Sequence, residues 1–250
     1  MWKLGPAPGL QAGDVHVWLA RLDLPEEPVA QLRCILSPEE KTRADRFYFE
    51  RDRRRFTVAR GTLRSVLAPY LNQRREDIQF RYEPAGKPYL RMEDPPLHFN
   101  VSHSNELALI ALSLVHRIGI DVEFKNRPGA TLDIARNFFA PEEIEALTEL
   151  PEEARCDAFF AIWTMKEAYI KGRGEGVSLG LDTFAVNIAS DQPRGLIRSA
   201  HGKDEPARWR FWNIDAGPGY AAAMTVEGSG ERRLSFWNAT PARSPIIDTE

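Results

Sequence analysis

The sequence contains an internal repeat, and this repeat limits the fold more than any other feature of the chain. The Pro-Glu-Glu helix start at residues 38–40 recurs at residues 141–143. Residues 99–113 (FNVSHSNELALIALS) align without gaps on residues 212–226 (WNIDAGPGYAAAMTV), and both segments are typical of a strand, a turn and a second strand. Because the matching segments keep the same order, we predict an α+β fold in which two similar halves are related by a pseudo-twofold axis.

The periodicity of apolar residues predicts the elements within each half. Strands are predicted at DVHVWLARLD in the first half and IGIDVEF in the second, and helices at LSPEEKTRADRF, RRFTVARGTLRSVLAPYL, FAPEEIEAL and DAFFAIWTMKEAYIK. We place the first half at residues 1–117 and the second at 118–226, with a tail that extends the second unit to 118–250. The end of this tail, TPARSPIIDTE, is expected to be poorly ordered, and a ligand is expected in the cleft between the halves.

Composition and charge argue against several classes of protein. The formal net charge is -3, which gives no global attraction to nucleic acid. The longest apolar run, residues 107–115, is too short to cross a membrane, and the N-terminus has no signal-peptide pattern, so we expect a cytoplasmic protein. Cys34 and Cys156 lack the spacing of a zinc site or a disulfide framework and are expected to be buried, reduced thiols.

Charged residues in the second half replace apolar residues of the first half at matching positions. Asp121 and Glu123 lie two apart on a predicted strand, so both carboxylates project from one face. Glu167 and Lys171 lie four apart on a predicted helix and also share a face. Either pair alone is typical of a solvated surface, but together they predict a cluster of three carboxylates. Oxygen ligands without His or Cys suit Mg²⁺, which in turn implies a ligand that contains phosphate.

The first half supplies groups suited to an anion. Ser102, His103 and Ser104 follow a predicted strand, where hydroxyls, imidazole and backbone N–H groups are able to bind an anion. Lys87 lies between Gly86 and Pro88 in a stiff turn. The basic run RFYFERDRRRF is interpreted as a solvated helix face with one or two residues on a phosphate, and the glycines of GRGEGVSLG as a helix end and a turn.

These motifs resemble the 4′-phosphopantetheinyl transferases, and specifically their larger two-lobed Sfp type. The resemblance rests on IGIDVE and WTMKEAYIK, preceded by GKP and FNVSHS, and it extends from about residue 37 to 184. It implies the duplicated fold and transfer of the phosphopantetheine arm of coenzyme A onto a serine of an apo acyl or peptidyl carrier protein. The product released is adenosine 3′,5′-bisphosphate.

The resemblance also implies roles for individual residues. Asp121, Glu123 and Glu167 match the magnesium ligands, Glu167 matches the base for the serine hydroxyl, and Lys171 and Lys166 match cations beside the pyrophosphate. Contacts to the adenylate end and its 3′-phosphate are implied for Lys87, Ser102, His103, Arg43 and Arg55. The chain departs from the family pattern at Glu40, where a basic residue is frequent, and at Phe56, where some members carry a hydroxyl.

Two other functions remain open from the sequence. A magnesium-dependent nucleotide or diphosphate hydrolase needs a similar set of acids and cations, and so does a non-catalytic module that binds coenzyme A or a carrier protein. Because carrier proteins present an acidic helix beside their serine, Arg173 and residues 126–136 are candidates for a docking surface. We expect a monomer, since the duplication supplies within one chain the interface between the halves.

Overall fold

The apolar patterns fold as predicted, and the second half repeats the succession of elements of the first with one additional short helix. The computed structural model describes residues 2–3, 9–84, 86–90, 96–125, 132–188 and 194–239. The predicted disordered end, residues 240–250, and the first part of the predicted docking segment, residues 126–131, lie outside this range.

The elements of the first half are β1 (Asp14–Arg21), α1 (Glu26–Cys34), α2 (Pro38–Asp45), α3 (Glu50–Leu71), β2 (Phe80–Tyr82), β3 (Pro88–Leu90), β4 (Leu97–Ser104) and β5 (Leu107–Leu114). Those of the second half are β6 (Ile118–Phe124), α4 (Leu132–Phe138), α5 (Pro141–Glu149), α6 (Glu152–Arg173), β7 (Phe184–Asn187), β8 (Gly195–Ser199), α7 (Glu205–Arg208), β9 (Trp209–Asn213) and β10 (Tyr220–Glu227). A last strand, β11 (Arg233–Asn238), follows.

Sheet topology confirms the duplicated α+β fold. In the first half β5 lies between β1 and β4, and in the second half β10 lies between β6 and β9, with antiparallel pairing throughout both sets. The two long helices, α3 and α6, each have 22 residues. Strand β11 belongs to the second unit by sequence but pairs in parallel with β1, so the end of the chain joins the first sheet.

The two sheets pack face to face, and each long helix covers an outer face. Alternate residues of β1 and β5, such as Val17 and Leu109, form one buried cluster with Ile120 and Val122 of β6 and Met224 of β10. The intervening residues of each strand point to the helix on their own side, because successive strand side chains project to opposite faces. This alternation directs the odd-numbered residues of β6 between 119 and 123 towards α6.

Each half fastens its long helix through the second Glu of its Pro-Glu-Glu start. Glu40 completes a capping box with Ser37, and its Oε2 also accepts from Arg64 Nε of α3 at 2.7 Å. Glu143 Oε1 accepts from Lys166 Nζ of α6 at 2.7 Å, and its Oε2 accepts from the Ala140 amide. All four charged residues of these two pairs are nearly removed from solvent, so both halves have a buried ion pair at this position.

The fold decides the expectation about the two cysteines. Both cysteines are free and exposed, so the prediction that they are buried is wrong. Cys34 ends α1 on its solvent side, and Cys156 lies near the start of α6, before that helix enters the core. Among the described residues, no helix is long and apolar enough to cross a bilayer.

Candidate active site

Strand β6 lies directly against helix α6 because both have glycine at the point of contact. A Cβ at Gly119 would overlap the carbonyl oxygen of Ala168 and the amide nitrogen of Gly172. Gly172 in turn lies against the Trp209 ring. No larger residue fits at Gly119 without separating strand and helix, so this pair sets how closely the acids of β6 approach the charges of α6.

The predicted charge cluster forms at this contact. Lys171 Nζ lies 2.6 Å from Asp121 Oδ1 and 3.0 Å from Ser102 Oγ. Asp121 is only 2 % exposed, whereas Glu123 and Glu167 are half-buried. Burial raises the pKa of Glu167, and the negative charges of Asp121 and Glu123 raise it further, whereas Lys171 lowers it. The structure therefore brings together the four charged residues that the sequence singled out in the second half.

The edges of the two sheets meet along β4 and β6, and we call this junction the seam. Side chains of β4, instead of its backbone, accept hydrogen bonds from the backbone amides of β6. Asn100 Oδ1 accepts from the Ile120 amide at 2.8 Å. Ser102 Oγ accepts from the Val122 amide at 3.3 Å, and Ser104 Oγ from the Phe124 amide at 3.0 Å. The two serines also donate to the acids of β6, Ser102 to Asp121 Oδ1 and Ser104 to Glu123 Oε2, both at 2.7 Å.

The chemistry of these acids fits a divalent cation, although they are not gathered as a finished metal site. No three His, Cys, Asp or Glu side chains in the described ranges are arranged to hold a metal ion. Asp121 Oδ2, however, is buried and accepts no hydrogen bond from the described residues. Three neighbouring carboxylates with an unsatisfied buried oxygen and one raised pKa favour a cation that neutralises them.

A second charged group lies on the first-half side of the site and is positive. His103 is exposed; the surrounding protein lowers the pKa of its imidazole, and Lys171, Arg60 and Arg43 lower it further. The Arg60 guanidinium lies 5.2 Å from the Phe80 ring centroid, and the guanidiniums of Arg60 and Arg43 both lie over the Phe56 ring. Arg43 and Arg60 thus form a positively charged patch, and such a patch favours a ligand of opposite charge.

A cleft opens beside this positive group. It has a volume of about 1240 Å³ and is lined by residues of the first half, among them Ser37, Arg43, Phe80 and Tyr82. None of the described acids of the second half is among its lining residues, so this cleft differs from the one predicted between the halves. The ring of Phe56, one of the two departures from the family pattern, supports the arginines beside this cleft.

Lys166 is not where the resemblance implies. Its side chain is fully buried on another face of α6, where Nζ donates to Glu143 Oε1 and to the Phe184 carbonyl oxygen, both at 2.7 Å. Burial lowers its pKa to about 8. The prediction of a phosphate contact is corrected, because the 100° turn per helical residue that directs Glu167 to the site directs its neighbour into the core.

Arg55 and Arg173 are also held by acids of this chain. Arg55 donates two hydrogen bonds to the Asp23 carboxylate and one to Asn105 Oδ1. Arg173, with 16 % of its side chain exposed, pairs with Glu175 and with the buried Glu205. Neither guanidinium is presented as a free cation, so the structure does not support the implied nucleotide contact of Arg55 or the expected docking role of Arg173.

Lys87 and Ser102 lie at the site but are directed towards protein atoms. Lys87 Nζ donates to the carbonyl oxygen of Lys171 at the end of α6, and burial lowers its pKa to about 8. The Ser102 hydroxyl donates to Asp121 and accepts from Val122 and Lys171, which uses its one hydrogen and both lone pairs. Both side chains therefore organise the site across the seam.

Two contributions to the site, those of Arg60 and Ser104, were missed in the sequence. Arg60 follows Phe56 by four residues and shares its helix face, a spacing that identifies it once Phe56 is known to border the site. Ser104 was grouped with an anion-binding turn, whereas it bonds an acid. Glu40, the other departure from the family pattern, is 5 % exposed and faces Arg64, so it presents no charge to a ligand. Which side chains meet across the seam is not readable from spacing.

Comparison with known proteins identifies the family of this chain. Residues 117–225 match the family model described as the 4′-phosphopantetheinyl transferase superfamily, and residues 25–114 match the one described as 4′-phosphopantetheinyl transferase, N-terminal. The chain is 39 % identical over 232 residues to the 4′-phosphopantetheinyl transferase HetI of a Nostoc species, covering 92 % of this chain and 94 % of that protein.

Two Bacillus proteins are also similar. The 4′-phosphopantetheinyl transferase Sfp of Bacillus subtilis is 32 % identical, with 80 % of this chain and 86 % of that protein covered. The 4′-phosphopantetheinyl transferase psf-1 of Bacillus pumilus is 33 % identical, with 78 % and 81 % covered. Such identity over most of both chains, with the duplicated fold and the charged seam, places this chain in the 4′-phosphopantetheinyl transferase superfamily, as a transferase of the Sfp type.

Proposed function

We propose that this protein transfers the 4′-phosphopantetheine group of coenzyme A to a serine of an apo acyl or peptidyl carrier protein, in a Mg²⁺-dependent reaction that releases adenosine 3′,5′-bisphosphate. Membership of the superfamily supports coenzyme A and a carrier protein as partners. The observation that carries the detailed proposal is the acid cluster of β6 and α6 beside Lys171, which in turn interacts electrostatically with His103 of the first half.

The residues of β6 and α6 suit the metal and the pyrophosphate. We assign Asp121, Glu123 and Glu167 as the groups that would hold Mg²⁺, which when bound supplies positive charge to the pyrophosphate oxygens. Two of the three N–H donors of Lys171 go to Asp121 and Ser102 among the described residues. The ammonium is thereby fixed where it offsets charge on the leaving phosphate.

The reaction needs a base, and Glu167 is the group we assign. The serine oxygen of the carrier forms a bond to the phosphorus that bears the pantetheine arm, the pyrophosphate bridge breaks on the adenylate side, and the serine proton passes to the Glu167 carboxylate, directly or through one water. The Glu167 carboxylate is half-buried in the acid cluster and interacts with Lys171, so in this assignment it lies beside the reacting phosphate.

The nucleotide end is assigned to the positive group of the first half. His103 interacts electrostatically with Arg43, Arg60 and Lys171, so one anionic ligand that contacts these groups would extend from the first half to α6. Lys87 and Ser102 stabilise the site through hydrogen bonds, Lys87 to the Lys171 carbonyl oxygen at the end of α6 and Ser102 to Asp121. Arg55 and Lys166 have no part in this assignment because each donates hydrogen bonds to an acid of the chain, whereas Arg60 Nε lies 3.5 Å from Glu40 Oε1 without a hydrogen bond to it.

Intact-mass analysis of the carrier tests the function. The purified protein is incubated with coenzyme A and Mg²⁺ and with a panel of apo acyl and peptidyl carrier proteins, alongside an EDTA control. A mass gain of one phosphopantetheine that EDTA abolishes is the expected result. Cleavage of coenzyme A without any gain on a carrier would instead indicate a hydrolase, and no reaction on any carrier would contradict the proposal.

A further inference from the structure

Ser104 makes two hydrogen bonds to adjacent groups of β6 across the seam. Its Oγ accepts from the Phe124 amide at 3.0 Å and donates to Glu123 Oε2 at 2.7 Å. Ser104 is 6 % exposed, so water competes little for either bond. The hydroxyl therefore ties the carboxylate of Glu123 to the backbone of the next residue.

The direction of this hydroxyl is fixed by its surroundings. A serine hydroxyl has one hydrogen to donate, and the Phe124 N–H already occupies one of its lone pairs. The hydrogen is thus left for Glu123, and a hydrogen bond to an ionised carboxylate is about twice as strong as one between neutral groups. The bond limits the rotation of a half-buried carboxylate that has a flexible side chain.

We propose that Ser104 is a positioning residue that holds Glu123 in the orientation needed to receive the divalent cation. This inference rests on the proposed metal site. A group that orients a metal ligand without touching the metal commonly raises metal affinity by roughly 10 to 100-fold. Ser102 makes the same kind of bond to Asp121 but also bonds Lys171, so Ser104 gives the cleaner test.

Asn100 provides a matched control on the same strand. Its Oδ1 accepts from the Ile120 amide at 2.8 Å, which makes it a third contact of the seam. Ile120 carries no ligand group, and Asn100 is 4 % exposed, so its burial matches that of Ser104. Loss of Asn100 reports the effect of weakening the seam itself.

The test is a titration of the intact protein with Mn²⁺ in the presence of coenzyme A. Electron paramagnetic resonance measures the concentration of free Mn²⁺ at each step. Ser104→Ala is expected to raise the Kd for Mn²⁺ about tenfold or more. Ser104→Thr, which keeps the hydroxyl, and Asn100→Ala are expected to bind Mn²⁺ close to wild type. Melting temperatures measured without metal show whether each variant is folded.

Three outcomes would overturn the proposal. Unchanged Mn²⁺ binding by Ser104→Ala would show that the hydroxyl does not orient Glu123. Equal weakening by Asn100→Ala and Ser104→Ala would assign the effect to the seam as a whole. Failure of the wild-type protein to bind Mn²⁺, or binding unaffected by Glu123→Gln, would remove the metal site itself, and this result is distinct from a failure of Ser104 alone.

Discussion

Replacing Lys166 by Met separates the structural account of this residue from the role implied by family resemblance. The ammonium is fully buried between α5, α6 and β7, where it donates to Glu143 and to the Phe184 carbonyl oxygen. Met has a similar length and no charge, so the change removes the cation with little change in volume. It leaves the Glu143 carboxylate buried without its positive partner.

The structure sets the expected magnitude. Removing one partner of a buried ion pair destabilises a protein by about 3–5 kcal/mol, because the remaining charge is uncompensated. For a chain of this size that corresponds to a fall in melting temperature of roughly 6–20 °C. Adding Glu143→Gln, which removes the leftover charge, should recover part of the loss, with a coupling of about 1 kcal/mol or more.

The assay is thermal unfolding of the single and double variants, together with the KM for coenzyme A measured well below each melting temperature. Lys171→Met is the matched control, since it makes the same change five residues on in the same helix but on the face of the site. We expect Lys166→Met to lose stability and keep its KM, and Lys171→Met to lose activity. An unchanged melting temperature with a tenfold higher KM in Lys166→Met would refute the reasoning.

Three further predictions concern the contact of β6 with α6 and its surroundings. Gly119→Ala should lower stability by about 3 kcal/mol or more in thermal unfolding, because its Cβ meets helix backbone, whereas Gly195→Ala, with open space around it, should not; equal melting temperatures would contradict this. In EDTA, Glu167→Gln should raise the melting temperature at pH 7.5, and this gain should shrink as the pH falls to 5. The pKa of Glu167 is raised in the folded protein above the unfolded value of 4.5. The contribution of Glu167 to folding stability is therefore fully present below pH 4.5 and is lost as the pH rises through the folded pKa. A gain independent of pH would be inconsistent with that shift. Arg173→Met should lower the melting temperature, because Glu205 is buried and loses a partner, and leave the KM for the carrier unchanged; the opposite pattern would restore a docking role for Arg173.

Much of the fold could be predicted from the sequence because local pattern and tertiary packing agree. The alternation of β1 and β6 and the helix starts at Pro38 and Pro141 each favour the element that forms. The parallel pairing of β11 with β1 was not predicted, because a strand that joins a distant sheet has no signal in its own residues. The exposure of both cysteines was missed for the same reason, since it depends on where α1 and α6 meet solvent.

The candidate site was also predicted only in part, where residues of one strand or one helix share a face. Spacing on one strand and one helix was sufficient to group Asp121, Glu123, Glu167 and Lys171, because those positions share a face whatever surrounds them. Spacing says nothing about partners from other elements. Arg55 pairs with Asp23 and Lys166 pairs with Glu143, so neither contributes to the site. Arg60 does contribute, but its packing against the Phe80 ring could not be predicted from spacing.

The central claim is that one coenzyme A molecule is bound across the seam, with nucleotide contacts from the first half and chemistry from the second. The most direct measurement is kcat and KM for coenzyme A in phosphopantetheine transfer by two variants, Arg60→Ala and Glu167→Gln. We predict that Arg60→Ala raises KM about tenfold with kcat retained, since it loses a charged contact to the ligand. Glu167→Gln should lower kcat by about 100-fold or more. Unchanged KM in the first variant, or full kcat in the second, would contradict a site built from both halves.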